Sequence, residues 1–286
     1  MTEKPLIIFD TDMDTDCDDA GALLMLINAH LRGEITLLGV GCDSVCEYAA
    51  PFTKTVLDRY GLDIPVGEIY RHANCELDEY LKHQANCASQ AYNKMLAKRY
   101  DGIPCTAELY ASLLRGAPDK SVTLLCVGLL SAVYEFLKNE PDLFEKKVKQ
   151  AVIMGNPYKE NDFNLSMDAK AAKGFFDLCP CPVYISYLGG EIITGNRLDK
   201  ALPAEHPVRR AYEIWSCGKG RSSWDLLAAL FAINPIHPIF RVEDACKITY
   251  DENERVSIIT DGTRDRIITL SCTNPEAEEI LNAFLV

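Results

Sequence analysis

The feature that most limits the fold of this chain is an alternation of short, largely apolar runs with longer helical segments. The apolar runs are typical of strands buried inside a sheet, and they occupy residues 6–9, 35–41, 64–66, 122–127, 148–154 and 183–187. Helices are predicted between and after these runs, over residues 18–30, 47–60, 107–115, 130–139, 168–178, 207–217 and 223–233. Residues 71–101 are polar and predicted to be helical in part, in a position to cover a site.

This alternation predicts an α/β fold, with a mostly parallel, doubly wound sheet and helices flanking both faces. The C-terminal part differs, because residues 255–260 and 266–271 flank Asp261-Gly262, a turn signal that predicts an antiparallel hairpin. The chain shows no internal repeat and no Pro/Ser-rich linker. Its 286 residues therefore predict one domain, spanning 1–286.

Net charge, apolar run lengths and cysteine spacing disfavour several classes of function. The formal charge of −13 disfavours nucleic acids and anionic membranes as partners, since both attract basic proteins. The longest apolar runs, such as residues 20–27, are shorter than the roughly 20 residues of a membrane span. The first nine residues leave no room for a signal peptide, and the 12 cysteines form no CxxC pair. We therefore expect a soluble, cytoplasmic protein with reduced thiols.

The strongest local signal is an acidic segment between an apolar strand and an apolar helix. Six carboxylates fall within ten residues, at Asp10, Asp12, Asp14, Asp16, Asp18 and Asp19. Such a cluster repels itself unless a cation neutralises it, and an all-oxygen donor set favours Ca²⁺ or Mg²⁺. A solvated acidic loop is the alternative, and the apolar flanks weigh against it.

The spacing excludes an EF-hand and suggests a division of roles. An EF-hand loop starting at Asp12 would need Gly and Glu where Cys17 and Leu23 stand. Asp18 and Asp19 are adjacent at a predicted helix start and point about 100° apart. One of them can therefore face an ion while its neighbour faces a substrate.

The acidic segment resembles the N-terminal motif of the inosine-uridine preferring nucleoside hydrolases, in a bacterial branch with two extra residues. Four later segments continue the resemblance in the family's order. These are Pro65-Val66-Gly67, Val127-Gly128-Leu129-Leu130, Asp162-Phe163-Asn164 with the following Asp168-Ala-Lys-Ala-Ala172, and Ser223-Trp224-Asp225.

The resemblance implies the nucleoside hydrolase fold and a bound Ca²⁺. The ion would be held by the side chains of Asp12, Asp19 and Asp225 and by a backbone carbonyl near Val127. Asp12 would act as the general base on a water that attacks the N-glycosidic bond. A ribonucleoside would thus give free base and ribose, as in purine or pyrimidine salvage.

The resemblance also implies the residues around the substrate. Asp18, Asp162 and Asn164 would hydrogen-bond the ribose, and Asp43 and Asn156 are further candidates at the sugar. Asp10 and Asp16 would lie just outside the metal ligands, with Asp10 orienting Asp12. The family further implies a homodimer or homotetramer.

Three positions depart from the family pattern. Asp14 stands where the branch usually has Gly, and Asp162 replaces a Glu in the ribose-binding segment. Trp224 replaces a His that is thought to protonate the leaving base, and an indole cannot act as that acid. Trp224 is interpreted either as a stacking partner for the base or as ordinary core packing. His72 or His83 could supply the missing acid, or could simply lie at the surface.

Two other functions remain open at this point. The apolar strand ending in Asp10-Thr-Asp12 is also similar to the start of haloacid-dehalogenase-type phosphatases, with Asp10 as nucleophile. That family continues with Gly and Thr, which Met13 and Asp14 do not match. The second alternative is a non-catalytic nucleoside- or ribose-binding protein on the same fold, suggested by Trp224 and Asp14.

Overall fold

The computed structural model describes residues 4–14, 16–70, 78–87 and 91–286. Its strands, numbered in chain order, are β1 (Leu6–Thr11), β2 (Thr36–Cys42), β3 (Val66–Glu68), β4 (Val122–Cys126), β5 (Val148–Met154), β6 (Val183–Ser186), β7 (Ile193–Thr194), β8 (Arg221–Ser222), β9 (Phe240–Val242), β10 (Lys247–Tyr250), β11 (Val256–Ile259) and β12 (Asp265–Leu270). Eight of them form one sheet in the order β3-β2-β1-β4-β5-β6-β12-β9. Every neighbouring pair is parallel except β12 with β9, which confirms the predicted mostly parallel sheet.

Helices cover both faces of the sheet. They are α1 (Asp18–Leu31), α2 (Ala49–Arg59), α3 (Asp78–Asn86), α4 (Tyr92–Leu96), α5 (Thr106–Gly116), α6 (Ser131–Asn139), α7 (Pro141–Lys147), α8 (Phe163–Ser166), α9 (Ala169–Leu178), α10 (Leu198–Ala201), α11 (Pro207–Ser216), α12 (Trp224–Ile233) and α13 (Asn274–Phe284). One hydrophobic core includes α1, α2 and α12, and a second on the opposite face includes α5, α6 and α9. None of the helices in the described ranges is both long and apolar enough to cross a membrane.

The strand order places a crevice beside β1. The chain proceeds from β1 outward to β2 and β3, and then crosses back to β4 on the other side of β1. At such a reversal the connections leave in opposite directions, so a crevice opens at the carboxyl ends of the two central strands. Asp12 directly follows β1, and Val127 directly follows β4.

Two apolar helices point their first turns at this crevice. Helices α1 and α12 are buried on nearly all sides, as their almost continuous Ala, Leu, Ile and Phe content requires. Asp18 and Asp19 lie in the first turn of α1, and Asp225 lies in the first turn of α12. The sequence thus places carboxylates where the positive ends of two helix dipoles meet.

The C-terminal antiparallel hairpin is confirmed, but its predicted pairing is wrong. Strand β11 pairs with β10, which precedes it, and not with residues 266–271. Strand β12 instead joins the central sheet, parallel to β6. The physical reason is burial: Ile267 and Ile268 are adjacent and both buried, as in an interior strand, whereas a hairpin with one solvent face would alternate. The Asp261-Gly262 turn therefore connects the hairpin to the sheet.

The prediction that residues 71–101 are helical in part is confirmed by α3 and α4. His72 lies outside the described residues. The short pairing of β7 with β8 was not anticipated, and it fixes the backbone of Arg221 just before α12.

Candidate active site

A cavity of about 350 Å³ opens at the crevice. The predicted site residues that line it are Asp12, Asp16, Asp18, Asp19, Val127, Asn156, Asp162, Asn164, Trp224 and Asp225. Further lining residues include Met154, Lys159, Phe163, Tyr187, Trp215, Arg221 and His83. Residues more than two hundred positions apart in the chain thus meet in one cavity.

Three carboxylates converge at the two helix starts. Asp18, Asp19 and Asp225 each offer a ligand oxygen, and these oxygens lie within 4.8 Å of one another. The backbone N–H of Asp225 donates to Asp18 Oδ2 at 3.2 Å, which ties the two helices together. The hydroxyl of Thr11, at the end of β1, donates to Asp19. We call these three aspartates, with the neighbouring Asp12, the acidic group.

The electrostatics of the acidic group are those of an uncompensated anion cluster. Its four carboxyls are all buried, and burial raises the pKa of each well above the ordinary value. Repulsion between neighbouring carboxylates raises these pKa values further. The acidic group forms no salt bridge within the described part of the chain. It must therefore hold protons or a cation.

These residues fit a divalent cation. The donors are all carboxylate oxygens, which hard ions such as Ca²⁺ and Mg²⁺ prefer. Oxygens within 4.8 Å of one another can share one ion with ligand distances of about 2.3–2.6 Å. The nearby carbonyl of Val127 already accepts a hydrogen bond from Asn164 Nδ2 at 2.5 Å, and a second lone pair remains on that oxygen.

Two predicted site residues, Asp10 and Asp43, lie beneath the cavity and not on its surface. Tyr110 donates its hydroxyl proton to Asp10 Oδ2 at 2.5 Å, and the backbone N–H of Leu129 donates to Asp43 Oδ2 at 2.9 Å. Burial raises the pKa of Asp10 to about 7. Asp43 was predicted at the sugar, and the structure instead places it under the loop at Gly128, where it supports Leu129. Asp10 lies within β1 and is bonded to Tyr110, away from the cavity surface.

Asp162 and Asn164 form one wall through local backbone geometry. Asp162 caps the short helix α8 by accepting from the backbone N–H of Leu165 at 3.2 Å. That cap turns Asn164 toward the crevice, where its amide bonds the Val127 carbonyl. Burial raises the pKa of Asp162, although its backbone hydrogen bonds oppose that shift.

Comparison with known proteins decides the family. The model of the inosine-uridine preferring nucleoside hydrolases matches residues 7–278. The chain belongs to this family. Its members are glycosidases, so the predicted family and enzyme class are confirmed. No curated protein sequence matches the chain.

Solved structures agree on the fold of this nucleoside hydrolase. The inosine-uridine preferring nucleoside hydrolase from Bacillus anthracis is 15% identical, with 99% of each chain covered and a TM-score of 0.73. A purine-preferring ribonucleoside hydrolase from Gardnerella vaginalis is 15% identical, with 98% of each chain covered and a TM-score of 0.74. The type III effector protein XopQ, complexed with adenosine diphosphate ribose, is 14% identical over 100% of this chain and 94% of the other, with a TM-score of 0.77.

Family membership argues against the phosphatase alternative. That reaction would need Asp10 as an exposed nucleophile, whereas Asp10 is 1% exposed and hydrogen-bonded to Tyr110.

The cavity of this hydrolase is also lined by what we call the aromatic wall: Trp224, Trp215, Tyr187, Phe163 and His83. All five side chains are half-buried, and each comes from a different connection or helix. Trp224 therefore faces the cavity and is not solely core packing. His83 lies 4.9 Å from the Phe163 ring, between ring centroids.

Arg221 joins the acidic loop to the aromatic wall. Its Nε lies 2.8 Å from both carboxylate oxygens of Asp16, and its guanidinium carbon lies 4.9 Å from the Trp224 ring centroid. Sequence analysis does not find Tyr187 or Trp215 as site residues, because neither sits in a functional motif. From sequence, Arg221 and Ser222 are candidates only through their position just ahead of Trp224, and their spacing does not show that they reach the site.

Proposed function

We propose that this nucleoside hydrolase cleaves the N-glycosidic bond of ribonucleosides in a Ca²⁺-dependent reaction that releases free base and ribose. The observation that carries the proposal is the convergence of Asp18, Asp19 and Asp225 within 4.8 Å in the cavity that Asp12 also lines. The family match supports the reaction class.

Asp12, Asp19, Asp225 and the Val127 carbonyl are the proposed metal ligands. When bound, Ca²⁺ would supply positive charge that lowers the pKa of a coordinated water and would orient the vicinal ribose hydroxyls. Asp18 also belongs to the carboxylate cluster, and its oxygen Oδ2 is held by the Asp225 N–H. We assign Asp18 to a ribose hydroxyl, as the family resemblance implies, and the direct contacts with the ion to Asp12, Asp19 and Asp225.

The remaining polar residues would hold the sugar and move one proton. Asp12 would accept the proton of the attacking water, a role typically worth about 10²–10⁴ in rate. Asn156, Asp162 and Asn164, which also line the cavity, would hydrogen-bond the ribose. The buried carboxylates would also stabilise the positive charge that develops on the ribose ring as the bond breaks.

The aromatic wall would bind the base. Trp224 exposes part of its ring to the cavity, and a flat base can stack on that ring. A purine offers the larger stacking surface.

A panel of ribonucleosides tests this proposal. The purified protein is incubated with inosine, adenosine, guanosine, uridine and cytidine, with Ca²⁺ or with a chelator, and free base and reducing sugar are measured. We expect equimolar base and ribose from at least one nucleoside, with turnover lost in chelator and restored by Ca²⁺. Turnover that is unaffected by metal removal would contradict the proposed mechanism.

A second candidate is a nucleoside- or ribose-binding protein without turnover. It is favoured by Trp224 in the position before Asp225, and the similar XopQ structure holds adenosine diphosphate ribose. Tight binding of a nucleoside without release of base, measured by calorimetry on the same panel, would support this candidate over the hydrolase.

A further inference from the structure

The departing base leaves with the electron pair of the broken bond, so a site must stabilise negative charge on it. The residue directly before Asp225 is Trp224, which cannot donate a proton to the base. The described charged side chains of the lining that could oppose this charge are Lys159, Arg221 and His83. Of these, Arg221 is the one held against the aromatic wall.

Three contacts fix the position of Arg221. Strand β8 carries it and pairs with β7, so that its backbone is held immediately before α12. Nε bonds both Asp16 oxygens at 2.8 Å, and Nη2 bonds Asp16 Oδ2 at 2.5 Å. The guanidinium carbon lies 4.9 Å from the centroid of the Trp224 ring. A planar group held on two sides in this way has little freedom to turn.

One nitrogen of Arg221 remains available. Nε and Nη2 are used by Asp16, whereas Nη1 has no hydrogen-bond partner within the described part of the chain. Arg221 is half-buried and lines the cavity together with Trp224. Arg221 Nη1 thus belongs to the same part of the cavity lining as the Trp224 ring on which a base is proposed to stack.

We propose that Arg221 is a catalytic residue that stabilises the leaving base through hydrogen bonds from Nη1. This inference rests on the proposed hydrolysis. It assigns leaving-group stabilisation to a cation that keeps its proton, in place of an acid that gives one up.

The step balances as follows. The C1′–N bond breaks and its electron pair stays on the base nitrogen, while a C1′–O bond forms to water and the water's proton passes to Asp12. The base leaves as an anion held by Arg221 Nη1, and then takes a proton from solvent. Asp12 returns its proton to solvent.

Arg221 does not act as a general acid. Burial works to lower the pKa of its guanidinium, but the hydrogen bonds and the negative charge of Asp16 outweigh burial and raise that pKa. The group therefore stays charged throughout. Donors already aimed at the position where charge develops need no reorganisation during the reaction.

Two substrates with different leaving groups test the role. Inosine releases a base that needs stabilisation, whereas p-nitrophenyl riboside releases a phenolate that departs readily by itself. For Arg221→Met we expect kcat to fall by about 10²–10³ with inosine, the loss typical of one donor to a developing anion, and only a few-fold with p-nitrophenyl riboside. Ca²⁺ affinity, measured by calorimetry, should stay unchanged.

Matched variants separate this role from a structural one. Arg197→Met removes an arginine with a similar two-nitrogen carboxylate pair, to Glu279 at the surface, and should leave both activities unchanged. Asp16→Asn keeps the charge of Arg221 but loosens its position, so we expect a smaller loss that is again selective for inosine. Asp16→Asn tests the same role if Arg221→Met fails to fold.

Several results would overturn the inference. Equal losses on both substrates would make Arg221 merely structural, and unchanged turnover of inosine would remove its role. A selective loss of inosine turnover in His83→Gln or Lys159→Met, with Arg221→Met unaffected, would transfer the role to that residue. If the unmodified protein turned over neither substrate, the proposed hydrolysis and this inference would both fail, a result distinct from the others.

Discussion

The acidic group and the aromatic wall face the same cavity but are built in opposite ways. Asp12, Asp18, Asp19 and Asp225 are each 7% exposed or less and sit at the ends of a central strand and two core helices. The aromatic side chains are half-buried. All of them come from separate connections and peripheral helices except Trp224, which begins the core helix α12 beside Asp225. Apart from Trp224, the acidic group therefore belongs to the core strand and helices, and the aromatic wall belongs to the segments around them.

This difference separates the proposed metal-dependent chemistry, at the acidic group, from recognition of the base, at the aromatic wall. Carboxylates crowded in the core destabilise the fold unless a cation is bound. We therefore expect this side of the cavity to be restricted to binding the metal. Loops tolerate substitution without loss of the fold, which allows the base-binding side to change independently. Arg221 bridges the two sides, because it bonds Asp16 and contacts Trp224.

The largest effect is expected when the acidic group alone is altered. We expect Asp225→Asn to reduce turnover by about 10³-fold or more, because a metal site supplies several kcal/mol to the transition state. The same variant should raise the Tm of the metal-free protein, since it removes one of the four repelling carboxylates of the acidic group. Nucleoside turnover, Ca²⁺ calorimetry and thermal unfolding check these effects.

Asp177→Asn is the matched control, because Asp177 lies on exposed helix surface paired with Lys173. It should change none of the three measurements. Turnover retained by Asp225→Asn would separate the acidic group from catalysis.

A second effect concerns pH and the metal together. Folding raises the pKa values of the acidic group, and that of Asp10 to about 7, above the ordinary value of 3.8. The folded chain therefore holds these protons more tightly than the unfolded chain. Their stabilising contribution is complete below the unfolded pKa and is lost as pH rises through the folded values. The metal-free protein should lose stability as pH rises.

The clearest test starts at pH 6.5, the ordinary pKa of His206, and runs upward through the folded Asp10 value of about 7. Burial lowers the pKa of His206 to about 4, and this shift changes stability in the opposite direction below the ordinary histidine pKa of 6.5. Saturating Ca²⁺ should restore stability, by about 2.7 kcal/mol at a hundred times Kd, because the ligands bind it when ionised. Thermal unfolding with chelator and with Ca²⁺ measures both slopes. A metal-free Tm that rises across this window would contradict the assigned charge cluster.

Features of this molecule that arise from local sequence patterns could be predicted, and those that arise from distant contacts could not. The strand-to-helix alternation and the acidic segment are local patterns, so the parallel sheet and the position of Asp12, Asp18 and Asp19 were predictable. Bringing Asp225 to them required the resemblance, because no local pattern joins residues two hundred positions apart.

The remaining features depend on contacts that local patterns do not encode. The Asp261-Gly262 turn predicted a hairpin, but burial of Ile267 and Ile268 decided which strands pair. Asp43 shares the strand-end position of a ligand-binding residue, yet the close approach of Gly128 turns it into a support. Arg221 became visible only when a two-residue strand brought it to Asp16.

The smallest effect is expected from substitutions in the aromatic wall, and it tests whether base binding is independent of metal binding. Trp224→Ala should cost about 1–3 kcal/mol of base stacking, or roughly 10- to 100-fold in kcat/KM, with most of the loss in KM. Trp224→Phe should recover part of that loss, because a smaller ring still stacks. Ca²⁺ affinity should not change in either variant, since Trp224 offers no ligand to the ion. If Trp224→Ala weakened Ca²⁺ binding as strongly as nucleoside binding, the start of α12 would serve both sides of the cavity, and recognition could not vary independently of chemistry.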